Sequence, residues 1–179
     1  MASSAQEAAE TFERDFRRFL AAADALGPDA SVGQWTVKAV IAHVAAWDRE
    51  LRAGLEEVLT GSPVHYAGWD PDDFNEKVSA QAARGPWPDV RREAVAANSD
   101  LCSKVKAIRP EQWNRSSGHM SRRGTPMTPA VVLSYVYRGQ THYAGHAQEL
   151  EDATSPTSPG RAGRSRSRPA SPGRRAANR

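Results

Sequence analysis

The sequence predicts an all-α protein, an antiparallel four-helix bundle followed by a tail that does not join the fold. Four long stretches place apolar residues every three or four positions, the period of an amphipathic helix. No stretch alternates apolar and polar residues between turn signals, as a half-buried strand does, so strands are expected to be absent or minor. Residues 153–179 carry no large apolar side chain and have nothing with which to offset the entropy of ordering.

The first helix is expected from Ser4 to Leu26, with Phe12, Phe16, Phe19, Leu20 and Ala23 on its inner face and Gly27-Pro28 as its stop. The second runs from Thr36, a suitable cap, to Thr60, along a stripe that includes Val40, Val44, Trp47, Leu51 and Leu55. Asp70-Pro71-Asp72-Asp73 opens a short helix bearing Phe74 and Val78, closed by Gly85-Pro86. The third long helix extends from Pro88 to Ile108, with Val90, Ala94, Ala97, Leu101 and Val105 facing inward. Residues 109–127 read as a connection holding one turn of helix. The fourth helix is expected to start at Thr128-Pro129 and to continue unbroken through Val131, Val132, Tyr135, Val136, Tyr143 and Leu150. Residues 1–152 are then one domain, and an antiparallel bundle is the natural packing of its four long helices.

The positive charge lies outside that domain. The whole-chain net charge of +3 becomes −4 once the seven arginines of residues 153–179, a segment with no acid, are set aside. A mildly acidic fold argues against a nucleic-acid-binding domain. The Arg/Ser/Pro-rich tail is expected to make at most weak, salt-sensitive contacts with nucleic acid. A single cysteine, Cys102, excludes an intramolecular disulfide and suits a reducing compartment. The N-terminus has no apolar leader, and no run approaches the length of a membrane span. The expectation is a cytoplasmic protein without membrane contact.

Chemistry-bearing residues are few. His142 and His146 stand four apart on the last predicted helix, one turn apart on one face, the spacing of two ligands of a single ion. At about 100° per residue, Tyr135 and Gly139 share that strip. His43 lies at the edge of the second helix's apolar stripe, where it points along a helix–helix groove. Helices two and four of a bundle can face each other, so the three imidazoles can meet. Neutral imidazoles suit zinc, nickel or Fe(II), and three protein ligands leave coordination positions open. Spacing alone favours a second reading, in which the pair is surface or half-buried packing and His43 a partly buried, hydrogen-bonded residue. His65 and His119 fall in turn-rich segments and read as solvated. Cys102 reads as a small buried hydrophobe.

Longer stretches carry a resemblance. Gln34-Trp35-Thr36-Val37-Lys38-Ala39-Val40-Ile41-Ala42-His43-Val44 is similar to the W-[ST]-x-K-x-[VL]-[LI]-x-H-[LV] opening of helix two in the DinB/YfiT-like superfamily. The segment from His142 to Leu150 is similar to the H-x-x-x-H-x-x-[QE]-[IL] close of its fourth helix. Between them, Trp69-Asp70-Pro71-Asp72-Asp73-Phe74-Asn75 resembles the W-x-x-D-x-[FL]-N segment of the ClbS/DfsB branch. The similarity covers roughly residues 6–152. It implies a four-helix bundle, often a homodimer, with His43, His142 and His146 as a divalent-metal triad, zinc or nickel foremost. It also implies metal-dependent hydrolysis or thiol transfer on a small reactive electrophile, in detoxification or self-resistance. Some members use a thiol cofactor, but no residue of this chain marks a pocket for one, and the tail has no counterpart in the family pattern. The alternative within the same fold is a non-catalytic bundle that sequesters a small molecule. On the enzyme reading Tyr135 gives or takes a proton, Glu50 orients a ligand imidazole, and Trp47, Trp69, Phe74 and Asn75 line the substrate pocket.

Overall fold

A computed structural model describes residues 4–82 and 85–154, and the Arg/Ser-rich segment lies almost wholly outside them. The described chain is mostly helical, with two hairpins of two-residue strands. Helix α1 (Ala5–Leu26) starts where Ser4 Oγ accepts the Glu7 N–H, and Gly27, with φ of 85°, ends it. Its buried face is Ala8, Ala9, Phe12, Phe16, Phe19 and Ala23, and Asp15 is buried among them. The first hairpin, β1 (Ser31–Val32) with β2 (Trp35–Thr36), leads directly into α2 (Val37–Thr60), whose first turn is capped by Thr36 Oγ1 on the Ala39 N–H.

A 3-10 turn (His65–Gly68) joins α2 to α3 (Pro71–Ala82), which Asp70 opens by accepting the Asp72 N–H at 2.9 Å. Helix α4 spans Trp87–Lys106 and is followed by the single turn α5 (Pro110–Trp113). These elements follow the sequence expectation within a few residues. Helix α2 packs along α4 and α1 along α7 (His142–Thr154); α1 also meets α4, and α3 leans mainly on α2. Phe19, Ile41, Leu55, Leu101 and Leu150 are the largest fully buried apolar side chains, one or two from each of the long helices. Each contributes about 2–3 kcal/mol relative to an exposed position.

The last expected helix is corrected. Thr128 does cap a helix, but α6 (Pro129–Val132) lasts one turn. The chain then forms a second hairpin, β3 (Val136–Tyr137) with β4 (Gln140–Thr141), and only afterwards enters α7. The break is local: Arg138 and Gly139 take φ of 52° and 76°, the two left-handed residues of a tight hairpin turn. Arg138 is the one non-glycine with positive φ among the described residues. Tyr135 and Gly139 therefore do not share a helical strip with the histidines, and His142 is the first residue of its helix. The hairpin folds back onto α7 at Gly145, where a Cβ would stand 2.6 Å from the Tyr137 carbonyl oxygen. Among the described residues no helix is long and apolar enough to cross a membrane.

Candidate metal centre

His43 comes from the second turn of α2, and His142 and His146 from the first two turns of α7. Both helices are entered from a hairpin and capped by its last threonine: Thr36 for α2, and Thr141, whose Oγ1 accepts the Ala144 N–H, for α7. Thr141 in turn donates to the buried Asp15 carboxylate at 2.7 Å, tying the entry of α7 to α1.

The three histidines are buried, and their ring nitrogens converge across a sequence separation of 99 residues. His43 Nε2 lies 3.0 Å and His146 Nε2 3.1 Å from His142 Nε2. Those separations approach the edge of about 3.3 Å between neighbouring ligands of a tetrahedral ion with bonds of 2.0–2.1 Å. Burial, reinforced by the neighbouring His146, holds His43 down at about 3 and His142 well below the ordinary imidazole value. Both rings are neutral near pH 7 and carry a lone pair. His146 Nδ1 lies 3.0 Å from Glu149 Oε2, so Nδ1 donates to that carboxylate and Nε2 is the nitrogen that faces the other two rings. His43 is less well supported. Asn75 acts on its ring in the opposite sense to burial, but Nδ1 makes no hydrogen bond among the described residues. The donor set fits a divalent ion, and the cluster can hold one.

Aromatic rings close the site. Trp35 covers His43 at 5.1 Å, Tyr137 stacks on His146 at 4.5 Å, and Tyr135 meets His142 edge-on at 5.3 Å. Tyr135 is exposed, and its ring lies near-parallel to Trp47 at 6.3 Å. Phe74 packs on Trp47 at 4.7 Å, Trp69 on Phe74 at 5.3 Å, and Asn75 Oδ1 accepts the Trp47 indole N–H at 2.8 Å. Tyr135, Trp47, Phe74 and Asn75 are thus linked by contacts beside the cluster, Tyr135 on a loop rather than a helix.

Glu50 is not. Its carboxylate binds His65 Nε2 at 2.7 Å, and the residue that orients a cluster imidazole is Glu149, three positions after His146 on α7. The signal for Glu149 was its i,i+3 spacing from His146. His65, expected to be solvated, is bound on both ring nitrogens. His119 is exposed. Cys102 is buried as expected, and burial pushes its thiol up to about 12.

A group the sequence reading passed over lies behind the cluster. Asp48, fully buried on α2, accepts the Tyr143 hydroxyl at 2.7 Å, and Asn98 of α4 donates to that hydroxyl at 3.0 Å. Burial raises the Asp48 carboxyl to about 8, against the weaker pull of the Tyr143 bond, and its Oδ2 has no partner among the described residues. A protonated acid in this place costs less than a buried charge. No family model, curated protein or solved structure matches the chain.

Proposed function

We propose that the chain is a metal-dependent enzyme of the DinB-like kind, its bundle formed by α1, α2, α4 and α7, that hydrolyses a small reactive electrophile or transfers a thiol to it. The convergence of three buried imidazole Nε2 atoms, one of them on a ring held at Nδ1 by Glu149, is the observation that carries this reading. His43, His142 and His146 would hold the ion, with zinc or nickel the ions best matched to three neutral imidazoles. Such an ion supplies Lewis acidity that makes water or a thiol nucleophilic near neutral pH.

The chain's own side chains do the rest. Burial keeps His43 and His142 unprotonated, so proton competition for their lone pairs is weak at neutral pH. Glu149 fixes the His146 ring and its proton. Trp47, Phe74 and Trp69 exclude bulk water from the approach to His142 and favour an apolar, uncharged substrate. Tyr135, exposed and edge-on to His142, would give or take a proton. A cytoplasmic location and a homodimer belong to the same reading.

Elemental analysis of protein purified without a histidine tag tests it. The expected result is one divalent ion per chain, lost in His142→Ala together with hydrolysis of a strained-ring electrophile or its conjugation to a thiol. Metal-free protein whose stability the variant leaves unchanged would sink the triad and leave sequestration in the core.

A further inference from the structure

His65 stands in the 3-10 turn between α2 and α3, and its ring spans two carboxylates seven residues apart on one face of α2. Nε2 lies 2.7 Å from Glu50 Oε2, and Nδ1 lies 2.9 and 3.0 Å from the two oxygens of Glu57. The His65 backbone N–H donates to Glu57 as well, at 3.0 Å. A neutral imidazole has one N–H and one bare lone pair. With a carboxylate against each nitrogen, both contacts are favourable only when the ring is the imidazolium. The three side chains are 34%, 25% and 29% exposed, open enough to exchange protons and covered enough for the charges to be felt.

The turn that His65 anchors carries the outer end of the aromatic wall. Trp69 meets the His65 ring edge-on at 5.3 Å, Tyr66 meets it at 5.1 Å, and Tyr66 also packs on Trp47 at 6.0 Å. From Trp69 the contacts run through Phe74 and Trp47 to Tyr135 and so to His142. The charged groups on the ring are Glu50 and Glu57 of α2. On its own turn Tyr66 is held neutral, chiefly by burial, and Arg122, from the loop between α5 and α6, donates to the Gly68 carbonyl at 3.3 Å.

We propose that His65 is a positioning residue: clamped as an imidazolium between Glu50 and Glu57, it holds Tyr66 and Trp69 in place and through them the aromatic wall over His142, and the wall loosens when the ring loses its proton. Burial pulls the His65 pKa down, but the bonds to Glu57 and then Glu50 outweigh it, so the ring stays charged beyond the usual imidazole range. The wall is therefore fastened from the pH at which Glu50 and Glu57 ionise up to the His65 midpoint, and released above it. The clamp stands whether or not the histidine cluster holds an ion.

Nitrogen-15 NMR of the full chain, with the tryptophan indole signals assigned by single Trp→Phe variants, tests this without metal or substrate. The expected result is a His65 titration midpoint above 6.5, both ring nitrogens being protonated below it, with Trp47 and Trp69 indole signals moving at that same midpoint. In Glu57→Gln the midpoint should fall by about one unit. In His65→Gln the pH response of the two indoles should vanish while the far-ultraviolet circular dichroism is unchanged. The wild-type titration alone decides should a variant not fold. A midpoint at or below 6.5, or indole signals indifferent to the His65 titration, overturns the proposal.

Discussion

Two junctions in the molecule are built alike. At the first, Val32-Gly33-Gln34-Trp35-Thr36 turns a hairpin, and Thr36 caps the helix that carries His43. At the second, Tyr137-Arg138-Gly139-Gln140-Thr141 turns another, and Thr141 caps the helix that carries His142 and His146. At the first, the loop and the Thr36 cap were legible, though not the hairpin itself, because Gly27-Pro28 ends α1 before it. The second was not, because Val131, Val132, Tyr135 and Val136 fall in helical phase with Tyr143 and Leu150, and one glycine does not outweigh that period. A truer signal was present: two strand-forming residues on one side of Arg138-Gly139 and two polar ones on the other, the pattern of a two-residue hairpin loop. Amphipathic phase reports which residues end up inside. It does not report whether the backbone between them is continuous helix.

The junctions should also differ in how they break, most sharply at their glycines. In Gly145→Ala the new methyl meets the Tyr137 backbone oxygen, so the hairpin must leave α7 and take Tyr137 off His146. Thermal melts should show a loss of about 3 kcal/mol, with any bound ion weakened. Gly33→Ala at the first hairpin meets nothing within 4 Å and bears only the strain of φ 60°, a loss of about 1 kcal/mol.

Beyond both junctions, Asp48 joins α2 to Tyr143 of α7, and its titration should tilt the pH dependence of stability. The folded pKa of about 8 lies above the unfolded value of 3.8, so this group's contribution is full below about pH 4 and is lost as pH rises towards 8. Denaturant melts across that range should show stability falling with pH in the wild type, and a flatter profile in Asp48→Asn. A profile that stays as steep in the variant would mean that the carboxyl is ionised in the fold.

The caps come next. Thr36→Ala should cost about 1 kcal/mol, the worth of an N-cap bond. Thr141→Ala should cost about 2 kcal/mol, because it also removes a hydrogen-bond donor from buried Asp15. Equal losses at the two threonines would show that the Asp15 bond adds nothing. The smallest effect is a gain: Arg138→Gly relieves a left-handed backbone and gives up one exposed contact to Asp152 at 3.4 Å, for at most about 1 kcal/mol in a melt.

The sequence by itself determined where most helices begin and end, because caps and breakers act within a few residues: Ser4, Thr36, Gly61 and Thr128 stand where chain chemistry puts them. It also determined that His43, His142 and His146 turn inward, since apolar phase is a local property. Tertiary structure decided the rest. Only the hairpin's return onto α7 shows that Gly145 must lack a side chain, and only the packing of α2 against the turn after it gives Glu50 to His65 rather than to the cluster. The charge states were decided there as well. Burial holds the Asp48 carboxyl above its usual range, and Glu57 and Glu50 shift the His65 imidazole towards its charged form, through desolvation and partners that folding alone brings together.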